Sequence, residues 1–116
     1  MREYPKRVKK QLKELAAKAY EAELCRELAT LALRFDEWEA GETDPWELTD
    51  QIHQFHNGAA RDLCKRYHSL HADTMVASAV ADGTLKRVDI PDEVWPHIED
   101  LVEFWERELK TGGAAA

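Results

Sequence analysis

The 116-residue sequence predicts an all-α fold, a small bundle of four to five helices with one long N-terminal helix. Three observations carry that prediction. Residues 6–40 contain neither Gly nor Pro and are rich in Lys, Glu, Leu, Ala and Arg, which are strong helix formers. Apolar residues recur at steps of three and four along most of the chain, the spacing of one helix face. Gly41, Gly83, Pro91 and Gly112 stand between the periodic stretches, where helices stop and start.

The first helix shows its face twice. Val8, Leu12, Leu15, Ala19 and Ala22 step by 4, 3, 4, 3, and Leu24, Leu28, Leu31, Phe35 and Trp38 repeat the rhythm with the seam shifted by one position. Ala40-Gly41-Glu42-Thr43 ends it. The second start is well marked, with Asp44 as N-cap, Pro45 at the first helical position and Glu47 three residues after the cap. That helix carries Trp46, Leu48, Ile52 and Phe55. Asn57-Gly58 is expected to interrupt or kink it, with Asn57 capping a third segment whose face is Ala60, Leu63, Tyr67 and Leu70. Asp73 is expected to cap a short helix (Met75, Val76, Ala79, Val80) that Gly83 closes. Residues 84–90 read as an extended connection. Pro91 should open the last helix, with Val94, Ile98, Leu101, Val102, Trp105 and Leu109 inward and a kink or broken start at Pro96. Gly112-Gly113 should end it. The expectation is one domain over residues 1–111 and a disordered tail over 112–116.

The length of the first helix has a consequence for partners. Thirty-five helical residues span about 52 Å, whereas a compact chain of this size is roughly 35 Å across. The helix would overshoot its own domain by roughly ten residues while keeping an apolar seam, so a homodimer or a partner protein is expected to cover residues 6–22.

Charge and composition exclude some classes of function. The net charge is −7, yet residues 1–18 carry seven Lys and Arg against Glu3 and Glu14, so the remainder stands at −12. Most of the surface would repel phosphate, which argues against general nucleic-acid binding. Such polarity instead suits head-to-tail pairing of copies. No apolar run reaches the ~18–20 residues of a membrane span. The basic N-terminus leads into no apolar signal segment, so a cytoplasmic location is expected. Cys25 and Cys64 are expected to be reduced thiols, and Trp38, Trp46, Trp95 and Trp105 to be packed in the core.

Four of the five histidines fall within nineteen residues, and Arg61, Cys64, His68 and His71 step by 3, 4, 3 beside the third segment's apolar face. Three chemistries can use this stripe. His53, His56, Cys64, His68 and His71 offer donors for zinc or iron, with Cys64 and His68 at i, i+4 and His68 and His71 at i, i+3. The set lacks paired CxxC or HExxH spacing. Arg61, followed by His68 after six intervening residues, resembles the short Arg…His motif of the HEPN class of small helical proteins. Those proteins often dimerise and cleave RNA. The resemblance covers eight residues and implies catalytic roles for Arg61, holding phosphate, and His68, moving a proton. The third use is structural, with half-buried histidines hydrogen-bonded to backbone or carboxylates, and it requires no cofactor. The function these features favour is a protein–protein interaction or accessory module that self-associates through its long helix.

Overall fold

The computed structural model describes residues 3–115, and the expectation for Ala116 lies outside them. Helix α1 (Lys6–Glu39) starts directly after Pro5, whose carbonyl accepts the Lys9 N–H at 3.0 Å. It runs unbroken through the seam shift near residue 22. Gly41 ends it at φ +79°, with the Gly41 and Glu42 N–H groups returning to the carbonyls of Trp38 and Glu37. That pair of bonds satisfies the last-turn carbonyls and needs a left-handed residue, which glycine supplies without strain.

Helix α2 (Pro45–Gln54) begins as its sequence foretells. The Asp44 carboxylate accepts the Glu47 N–H at 2.7 Å, and Pro45 occupies the first helical position. Asn57-Gly58 behaves differently. The chain does not break there; it passes through a π-helical turn (Phe55–Ala60) into α3 (Arg61–Ser69), and Asn57 caps nothing. A π turn absorbs one extra residue, which rotates every later side chain by about 100° relative to a plain α-helix.

Helix α4 (Ala72–Asp82) takes His71, not Asp73, as its N-cap. Asp73 sits in the first turn, where its carboxylate accepts Thr74 N–H at 2.7 Å and the Tyr4 hydroxyl at 2.8 Å. Gly83 closes the helix at φ +87°. The connection that follows contains a 3-10 turn, Arg87–Asp89, instead of extended chain. Helix α5 (Trp95–Ala115) begins four residues after Pro91, so Pro96 falls in its first turn, where a missing N–H costs nothing. The helix is assigned through Gly112 and Gly113 to Ala115. Glycine weakens a helix interior by about 1 kcal/mol but stops it only when the backbone turns left-handed. No strand occurs among the described residues, and no helix is long and apolar enough to cross a membrane.

Internal contacts divide the chain, expected from its sequence to be one domain, into two compact units. The first comprises α1 up to Ala19 together with the chain from Leu70 onward. Its core is Val8, Leu12, Leu15 and Ala19 from α1, Met75, Val76, Ala77 and Ala79 from α4, Leu85 and Ile90 from the connection, and Val94, Ile98 and Val102. Leu109, expected inward, is exposed. Charge follows the same pairing. Glu93 accepts from Arg7 and Gln11 at 3.0 and 2.7 Å, and Lys18 lies 3.7 Å from Asp89. Arg87 stacks over Trp95, 4.2 Å from the ring centre.

Within this unit the apolar seam of Val8, Leu12, Leu15 and Ala19 is covered by the chain from Leu70 onward, and part of the positive charge of α1 is matched there.

The second unit spans Tyr20–Ser69. Among the described residues its fully buried apolar side chains are Leu48 and Leu63. Trp38 and Trp46, expected in the core, are exposed, Trp46 at 83%.

Burial this uneven makes a direct prediction. Leu12→Ala, at 2% exposure, should destabilise the first unit by about 2–5 kcal/mol, while Val88→Ala, at 86% exposure, should change stability by less than about 0.5 kcal/mol. Urea unfolding of the two variants beside the parent chain measures both.

Candidate functional site

The reactive side chains named from the sequence sit in the second unit, with the exception of His71. That residue caps α4 in the first unit. Among the described residues, no three of His, Cys, Asp and Glu converge on a point where a metal ion could sit. The five expected donors are thus distributed along the helical segment.

One pair does meet. Cys64 Sγ lies 3.6 Å from His68 Nδ1, and the same nitrogen lies 2.7 Å from the Cys64 carbonyl oxygen. A carbonyl only accepts, so Nδ1 carries the ring proton and donates it to the backbone. Nε2 is then the ring's acceptor. Cys64 therefore faces the protonated side of the imidazole, an arrangement that gives the thiol no base.

Arg61 and His68 occupy different surroundings. Arg61 is exposed and lines an open depression with His56, Asn57, Ala60, Cys64 and Lys65. His68 meets Tyr20 edge-on, with ring centres 6.2 Å apart. Two turns of helix separate the pair, and Cys64 lies beside both.

The arginine that enters a network is Arg66. Its guanidinium and the Tyr67 hydroxyl both donate to one carboxylate oxygen of Glu23 on α1, while the other oxygen lies 3.7 Å from Arg26. The Glu23 side chain is only 12% exposed. Tyr67 also stacks on Tyr20 with ring centres 4.9 Å apart and planes within 7°. Burial and the neighbouring carboxylate push the Tyr67 phenol well above the usual tyrosine range. Burial works against the Arg66 charge, and the Glu23 carboxylate more than offsets it, so its pKa rises. These groups form a polar clamp between α1 and α3. Its members were on the page as sequence, but nothing in their spacing links Glu23 to residues 43 and 44 positions later.

Compared with family models, with curated proteins and with solved structures, the chain matches none.

The clamp has a pH signature. The folded Tyr67 phenol holds its proton into a range where the unfolded chain, with tyrosines near ~10, releases it. Its contribution is complete below that value and is lost as pH rises above it. Wild type should lose more stability than Tyr67→Phe between about pH 8 and about pH 11, measured by urea unfolding at both. An equal loss in the two proteins would remove Tyr67 from the pH dependence.

Proposed function

We propose that this chain is a protein–protein interaction module that docks partners through the second unit. The observation that supports it is the contrast in burial. Among the described residues the first unit buries thirteen apolar side chains and leaves Leu70, Val88, Phe104 and Leu109 exposed, whereas the second buries only Leu48 and Leu63 and leaves Leu28, Leu33, Phe35, Trp38, Trp46 and Ile52 exposed at 38–83%. Scattered exposed apolar residues are ordinary, but six large ones in a unit of fifty residues point to a covered state. Aromatic residues on such a surface are the side chains that dominate interface energetics. On this reading the docking surface lies within residues 28–52, where those side chains are exposed.

Polar anchoring suits that role. The clamp on Glu23 holds α1 against α3 without consuming the apolar residues beside it. Leu48 and Leu63 supply the small core that remains.

The double substitution Leu28→Glu/Phe35→Glu tests the proposal. The variant should keep its helical circular dichroism, because both sites are already exposed. Affinity capture with quantitative mass spectrometry should show at least one bound chain, its own or foreign, reduced by about tenfold or more against wild type. An unchanged set of bound chains with an intact fold would refute the proposal.

A further inference from the structure

The exposed face of α1 in the second unit carries a specific arrangement of charge. Glu21, Cys25, Leu28, Ala32, Phe35 and Glu39 step by 4, 3, 4, 3, 4, and all six are exposed. That is the spacing of a heptad seam, the stripe one helix presents to another. Its middle is apolar or small, and each end is a carboxylate. Eighteen residues separate the two ends, about 27 Å along the helix. Among the described residues no ion pair engages Glu21 or Glu39.

Two occupants compete for such a stripe, a second copy of the chain and a helix of another protein. The carboxylates decide between them. A parallel copy in register sets Glu21 against Glu21 and Glu39 against Glu39. An antiparallel copy centred on residue 30 sets Glu21 against Glu39 at both ends. Each arrangement places like charges inside the seam, which is destabilising. Sliding one helix to avoid this shortens the apolar contact. The rest of the unit adds to the repulsion, because Tyr20–Ser69 holds eleven Asp and Glu against five Lys and Arg. Copies approach with net charges of −6 on both sides.

We infer that the stripe docks a cationic amphipathic helix of a different protein, with Lys or Arg flanking an apolar seam at the span from Glu21 to Glu39. This rests on the interaction-module reading and adds the chemistry of the partner. An apolar seam supplies the contact area, and the two end carboxylates fix its register and reject acidic partners.

The test uses the full chain and two synthetic helical peptides that share a Leu/Ile seam. One carries Lys at both positions that would face Glu21 and Glu39, and its twin carries Glu there. Fluorescence anisotropy at low salt should give the Lys-ended peptide a Kd at least ~10-fold tighter, with the gap narrowing as salt rises. Glu21→Lys/Glu39→Lys should reverse the preference, and Leu28→Glu/Phe35→Glu should abolish binding of both peptides. Equal affinities, failure of the reversal, or binding of neither peptide would overturn the inference. Sedimentation showing a dimer that Leu28→Glu/Phe35→Glu dissolves, with no peptide bound, would identify a second copy as the occupant. That outcome would sink the cationic partner and leave the interaction module standing.

Discussion

The burial of one seam, Val8, Leu12, Leu15 and Ala19, in a unit shared with the chain from Leu70 onward is the constraint on which the other features depend. These four side chains are at most 8% exposed, and they bring the basic first turns of α1 beside Asp89 and Glu93. Apolar burial and charge matching act on the same contact, so the strong polarity of the sequence is partly spent inside the chain. What remains is a helix whose first half is fully used and whose second half continues past Ala19 with its own, differently placed seam.

In the second unit a polar contact takes the place that apolar burial has in the first. Hydrogen bonds to a charged group are worth about 1.5–3 kcal/mol each, comparable with burying one aliphatic side chain. Glu23 receives two such bonds, from Arg66 and Tyr67, and the Tyr20–Tyr67 stack lies beside them. Polar contacts are directional, whereas apolar ones are not. The clamp therefore selects which face of α1 turns inward. With Glu23 and Arg34 on the half-buried side, Leu28 and Phe35 are left facing solvent.

Local features of the fold were readable from the sequence for local reasons. Helix period, the Asp44-Pro45 start and the left-handed stops at Gly41 and Gly83 each depend on residues within one or two turns. The misreadings have a common cause in tertiary context. Asn57-Gly58 looks like a break because both residues favour turns, but the flanking helices carry the chain through as a π turn. Asp73 is a good capping residue on its own, yet Tyr4, far away in sequence, engages its carboxylate in the first turn of the helix. The 4, 3, 4, 3 seams of α1 were visible; which one the chain covers was not, because that depends on what packs against it. The candidate site suffered in the same way. His68 and Cys64 were legible as an i, i+4 pair beside the apolar face, while Tyr20 joined them only through the fold.

Glu21 and Glu23 show how the same residue type acquires opposite consequences from helix phase alone. Glu23 turns inward and meets a guanidinium and a phenol, so its charge contributes to cohesion. Glu21, two residues earlier and on the exposed side, meets none, so its charge is felt by whatever approaches the stripe. An exposed apolar stripe on an independent helix invites association with any complementary seam, copies of itself included. Carboxylates at both ends leave the apolar middle untouched and penalise only those arrivals that bring negative charge. The selection costs the free chain little, since exposed carboxylates on a helix surface need no partner. It follows that the stripe's apolar character governs whether something docks there, and its ends govern which charge that partner carries.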